Sequence, residues 1–92
     1  MSVVDVARDE ALIARYIDSN PHGRGPAEAR LIGYGTSVWA LVAYLQACNG
    51  DAAEVAHDYK LPLEAVEAAI AYYRRYKALI DARLLLNEAA NP

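Results

Sequence analysis

The residues that could do chemistry in this 92-residue chain are few. They are Cys48, His22, His57, the short loop Gly23-Arg24-Gly25, and the basic group Arg74, Arg75 and Lys77. A zinc site needs several Cys or His ligands at short, paired spacings. His22 and His57 lie far apart and have no such partners, so each reads as a surface or interface residue. A nucleophilic cysteine needs a base beside it. Cys48 falls at the end of an apolar segment and reads as a packed thiol. Backbone amides of a glycine-rich loop can hold an anion, although so short a run is a weak signal. There is no phosphate-loop or dinucleotide-binding pattern. The expectation is therefore a non-enzyme, with no catalytic, metal or cofactor residues.

Composition limits the remaining classes. The chain is 55% hydrophobic and 23% charged, ordinary values for a folded globule. It has seven Tyr, one Trp and no Phe, so phenols must supply most of the aromatic packing. A single cysteine allows no internal disulfide, which suits a reducing, cytoplasmic setting. The opening Met1-Ser2-Val3-Val4-Asp5 has no basic region ahead of a long apolar run, so no signal peptide is expected. No apolar stretch approaches the ~18 residues of a membrane span. The net charge is −3, with the negative excess in residues 36–70 and a positive balance in residues 71–92.

The elements that must position these groups are helical. The spacing of Leu12, Ile13, Tyr16 and Ile17 predicts a first helix over Asp5 to Ser19, stopped by Asn20-Pro21. Residues 20–30 hold two Pro and two Gly and read as a loop. Leu31-Ile32 leaves room for one short strand, and Gly33-Tyr34-Gly35 reads as a turn. Thr36-Ser37 offers an N-cap for a buried helix from Ser37 to Cys48, ended at Asn49-Gly50. Asp51 caps a third helix, Ala52 to Tyr59. Leu63 then opens a helix that the pattern carries to about Ala89, nearly ~40 Å at the usual rise.

Residues 52–66 follow a helix-turn-helix grammar. Ala56 is the small residue at the crossing, Lys60 stands at the turn, Leu61 plugs it, and Val66 faces back. Val55 and Tyr59 supply the inward side of the first helix. The turn position favours a left-handed residue, so Lys60 implies slight strain or a different turn. The second helix would offer Glu64, Ala65, Glu67 and Ala68 to a DNA groove. Carboxylates there oppose phosphate binding, and none of the four makes a strong base contact. DNA reading is thus the weaker alternative, that of a helix-turn-helix transcriptional regulator.

Two apolar stripes run along the long C-terminal helix. Leu63, Val66, Ile70, Tyr73, Ile80 and Leu84 form one, and Ala69, Tyr72, Tyr76, Leu79 and Leu86 the other. One stripe can serve the chain's own core, and the other needs cover from a second copy or another protein. The expected partner or oligomer interface is Tyr72, Tyr73, Tyr76, Leu79, Arg83 and Leu86. Arg74, Arg75, Lys77 and Lys60 are the expected contacts to DNA or to an acidic partner.

Three segments carry a family resemblance: Gly35-Thr36-Ser37-Val38-Trp39, Ala52 to Tyr59, and Leu63 to Tyr73. With His22 to Arg30 they resemble the bacterial domain-of-unknown-function family 433 over about residues 20–86. The resemblance implies a homeodomain-like, all-α fold and a VapB-type antitoxin. It also implies self-association, a PIN-like ribonuclease toxin as partner, and repression of the protein's own promoter. The family pattern often has Arg where Ser37 stands and a Pro before Val38, and this chain has neither. The expected organisation is one domain over 1–92. It divides into an N-terminal helix and loop (1–30), a helical core (31–73) and a C-terminal helix extension (74–92).

Overall fold

The computed structural model describes residues 3–90; Met1 and Ser2 of the opening stretch, and residues 91–92, lie outside them. The fold is mostly helical, with α1 (Val3–Tyr16), β1 (Ile17–Asp18), β2 (Arg30–Leu31), α2 (Val38–Ala47), α3 (Ala52–Tyr59), α4 (Leu63–Arg75) and α5 (Lys77–Ala90). Among the described residues no helix is long and apolar enough to cross a membrane.

The first helix stops at Tyr16 rather than Ser19, because the next two residues leave to make a sheet. β1 pairs antiparallel with β2, Ile17 opposite Leu31 and Asp18 opposite Arg30. Ile17 and Leu31 are both buried, so the pairing places two apolar side chains in the core. Between them, the loop over residues 20–30 contains two 3-10 turns, Pro21–Gly23 and Pro26–Glu28. Ser37 occupies the N-cap of α2 but makes no side-chain cap. The amide of Val38 instead donates to the carbonyl of Ala29 at 2.9 Å, which anchors α2 to the loop.

α3 forms where the sequence places it. The Asp51 carboxylate accepts from the amide of Glu54 at 3.1 Å, a capping bond at the helix start. Lys60 adopts the left-handed conformation, φ 56° and ψ 47°. The turn geometry therefore holds despite the Cβ, and Leu61 plugs it as expected, its amide donating to Ala56 at 2.9 Å. Val55 and Val66 are buried, but Tyr59 points outward and packs against Tyr44, ring centroids 5.2 Å apart.

The long C-terminal helix of the sequence reading is two helices. The chain breaks at Tyr76, φ −118° and ψ 38°. No Pro or Gly marks this point; tertiary packing imposes it. α5 folds back onto α2 and the Pro26–Glu28 turn, where Ile80 is fully buried. The Tyr73 hydroxyl donates to Asp81 at 2.7 Å. Eight residues apart, the two would be separated by ~12 Å along a continuous helix, so the bond fits the bend.

α4 is the centre of the bundle. Ala65, Val66, Ala68, Ala69, Ala71 and Tyr72 are all buried on it, against α1, α2 and α3. Alanines on a central helix let three neighbours approach closely.

Candidate functional site

The tyrosines expected at an interface mostly serve the core instead. Tyr72 is 0% exposed. Its hydroxyl donates to the carbonyl of Pro26 at 2.7 Å, and its ring packs on Tyr76 with centroids 4.6 Å apart. Burial pushes its phenol up to about 12, and Tyr76 beside it adds to the rise. Tyr73 and Tyr76 are half-buried. Assignment of Tyr72 to a partner-binding surface is therefore corrected: the bend at Tyr76 turns that part of the stripe inward.

The basic residues are engaged within the chain. Arg74 donates to both oxygens of Asp9, at 2.9 and 3.0 Å. Arg75 reaches Glu10 at 3.3 Å, and Lys77 reaches Asp81 at 2.7 Å. Lys77 and Tyr73 together hold the Asp81 carboxyl below its usual range. Arg83 donates to Glu28 at 2.6 Å and lies over the ring of Trp39, 4.3 Å from its centroid. Lys60 is exposed at the α3–α4 turn. Together the four C-terminal cations act as internal fasteners.

The groove-reading surface expected on α4 is covered as well. Ala65 and Ala68 are both 0% exposed. Glu67 accepts from Arg8 at 2.6 Å, and Glu64 accepts from the Tyr16 hydroxyl at 2.9 Å. α1 thus lies along the side of α4 that a helix-turn-helix protein would present to DNA. The depressions beside this contact, lined by Val6, Asp5, Arg8, Asp9, Ala71, Arg74 and Arg75, are open and hold about 180 and 290 Å³. Ligand pockets ordinarily enclose ~300–1,000 Å³.

Two smaller chemical features have local explanations. In the Gly23-Arg24-Gly25 loop, the amide of Gly23 donates to Asn20 O, that of Arg24 to Pro21 O, and that of Gly25 to Asn20 Oδ1. No amide of the three is left for an anion. At the α2–α3 junction, ligand atoms of Cys48, Glu54 and Asp58 lie within 4.8 Å of one another. Tyr44 donates to Asp58, and His57 Nδ1 stands 3.2 Å from the same carboxylate. These two contacts, the Tyr44 bond foremost, hold the Asp58 carboxyl low, and the bond to Asp58 together with burial holds the Tyr44 phenol high. Burial pushes the Cys48 thiol up, so it is the protonated thiol, a poor nucleophile and poor metal ligand, that is favoured here.

What remains is the outer face of α5. Ile80 is buried and Leu84 partly so, which turns the opposite side of the helix to solvent. That side carries Ala78, Leu79, Ala82, Leu85, Leu86 and Ala89, all exposed. Leu79, Leu85 and Leu86 are 44%, 66% and 67% accessible. Lys77, Asp81, Arg83 and Glu88 fall on the flanks or the inner side, so the strip itself is uncharged. Leu79 and Leu86 are placed here by the sequence stripe. Leu85 is not, because the stripe assumes one continuous helical phase; the unbroken Leu84-Leu85-Leu86 run is the signal that more than one side of this helix is apolar.

No known protein family, no curated protein and no solved structure matches this chain.

Proposed function

We propose that this protein is an antitoxin of the type II, VapB-like kind, with a homeodomain-like helical core and a cytoplasmic setting, which captures a PIN-like ribonuclease toxin through α5. The observation that carries the reading is the uncharged outer face of α5, with three leucines 44–67% accessible on one short helix. An apolar strip of this kind calls for cover. The resemblance of residues 35–39, 52–59 and 63–73 to domain-of-unknown-function family 433 supplies the class of partner.

In this reading Leu79, Leu85 and Leu86 bury against the toxin, and Arg83 stands at the rim on its Glu28 support. Arg74, Arg75 and Lys77 hold the antitoxin's own helices together rather than entering an acidic nuclease centre. Groove reading by α4 draws no support from buried Ala65 and Ala68, so the DNA-regulator alternative is not adopted.

The test is co-expression with the product of the adjacent gene, followed by size-exclusion chromatography and a ribonuclease assay. One co-eluting peak with suppressed nuclease activity is expected, and Leu79→Asp/Leu86→Asp should separate the two proteins. Two separate peaks from the unaltered pair would contradict the reading.

A further inference from the structure

The break between α4 and α5 is one residue wide, and nothing in the local sequence asks for it. Residues 73–80 contain no Gly and no Pro. The apolar stripe keeps a single helical phase across the break, with Val66, Ile70 and Tyr73 before it and Ile80 and Leu84 after it. The bend also leaves backbone groups unused. The amide of Tyr76 still donates to Tyr72 O, and that of Ile80 to Tyr76 O, both at 3.0 Å. Among the described residues, the three bonds that a continuous helix would place between these two are not made. They would run from the amides of Lys77, Ala78 and Leu79 to the carbonyls of Tyr73, Arg74 and Arg75.

Side chains hold the bend. Ile80 is fully buried, and Leu84 packs beside it on the core. Tyr73 bonds Asp81, and Arg83 bonds Glu28 and lies over Trp39. All of these contacts would be lost with α5 in line with α4. The Lys77–Asp81 pair, four residues apart, would survive. One segment thus has two competing arrangements: three backbone bonds in a continuous helix, or one cluster of side chains against the core. We propose that α5 is a hinged arm, which moves as an intact helix about Tyr76 from its bent position against α2 to an in-line position that continues α4.

The bent form is the ground state, because burying Ile80 and Leu84 outweighs backbone bonds that water can replace. In line, residues 63–90 form one rod ~40 Å long. Ile80 and Leu84 then leave the core and become available together with Leu79, Leu85 and Leu86. An apolar surface that takes up Ile80 and Leu84 selects the in-line form, since only there are both free. The hinge goes beyond toxin capture, which uses the outer face of α5 in either position. Its test needs no toxin, so a rigid bend would leave toxin capture standing, and failed capture would leave the hinge standing.

The experiment is amide exchange of the whole chain, read residue by residue by NMR. In the unaltered protein the Lys77, Ala78 and Leu79 amides should exchange within about tenfold of the free-peptide rate. Ile80→Asp makes the bent position bury a carboxylate and should drive the arm in line. The same three amides should then slow about tenfold or more, with Val66 and Ala69 protected as before. Unfolding of α5 has the opposite signature, because it speeds exchange over residues 81–88 and slows nothing. Arg83→Glu sets a carboxylate against Glu28 without altering a fully buried residue. It should slow the three amides about twofold, and it decides the question alone if Ile80→Asp does not fold. Unchanged exchange at residues 77–79 in the folded variants would overturn the proposal, as would lost protection over residues 81–88.

Discussion

The two sides of α4 are held by different physics. Toward α2 and α3 the contact is apolar: Val66, Ala69 and Tyr72 share the core with Leu41, Val42 and Val55, all nearly inaccessible. Toward α1 it is largely ionic, through Arg8–Glu67, Arg74–Asp9, Arg75–Glu10 and the Tyr16–Glu64 bond. Among the described side chains of α1 only Leu12 is buried. Apolar burial is insensitive to salt, whereas exposed ion pairs contribute little each and are screened. α1 should thus be held to α4 less firmly than α2 and α3 are, although it covers as much of α4 as either does.

The strongest way to break this contrast is at Tyr72. Tyr72→Ala removes a fully buried ring and its bond to Pro26, and should cost about 3–5 kcal/mol in urea unfolding. Domains of this size hold only ~5–15 kcal/mol in total, so much of the fold's reserve goes with it. Leu12→Ala should cost less, about 2–4 kcal/mol, and its effect should be local. Amide exchange in residues 3–16 should rise well before exchange in α4 does. Equal acceleration of α1 and α4 would show that the two sides are not separable.

Alkaline pH probes the apolar side through Tyr72, read against Tyr72→Phe because the Tyr16, Tyr44 and Tyr73 phenols are raised as well. The Tyr72 phenol is raised to about 12 in the folded chain, so its neutral form is the one the fold favours. The stability this provides is complete below the ordinary tyrosine range near ~10 and is lost as pH climbs from there through about 12. Tyr72→Phe should lose about 1 kcal/mol at neutral pH, with the bond to Pro26, yet close that gap on the unaltered chain as pH rises. A constant gap between the two from neutral pH to about 12 would show that Tyr72 does not titrate with unfolding. Smallest of all is the effect of salt. Raising sodium chloride from about 0.1 to 1 M, which shortens the screening length from ~10 to ~3 Å, should speed exchange in α1 several-fold and leave Val66 and Ala69 unchanged.

Much of this was legible in the sequence where the signal is local. Asp51 at a cap, the Ala56–Lys60–Leu61 turn and the Gly33–Gly35 turn all follow from neighbouring residues, and α3 has the predicted limits. The break at Tyr76 was not legible, since no residue there forbids a helix and the cause is Ile80 finding the core. Once that break was missed, the continuous stripe sent Tyr72 to the surface and left Leu85 out. The α1–α4 ion pairs join residues up to 65 apart, and no local pattern records them. Of the candidate site, Leu79 and Leu86 could be read in advance; the buried tyrosines and the engaged arginines depend on the fold.

The toxin capture proposed above places the partner on α5 and not on α4. Hydrogen–deuterium exchange on the chain alone and with the adjacent gene's product, at a concentration where the free chain is monomeric, tests it directly. New protection is expected over residues 77–90, with little change over residues 63–75. Protection confined to residues 63–75, with α5 exchanging as in the free chain, would contradict it.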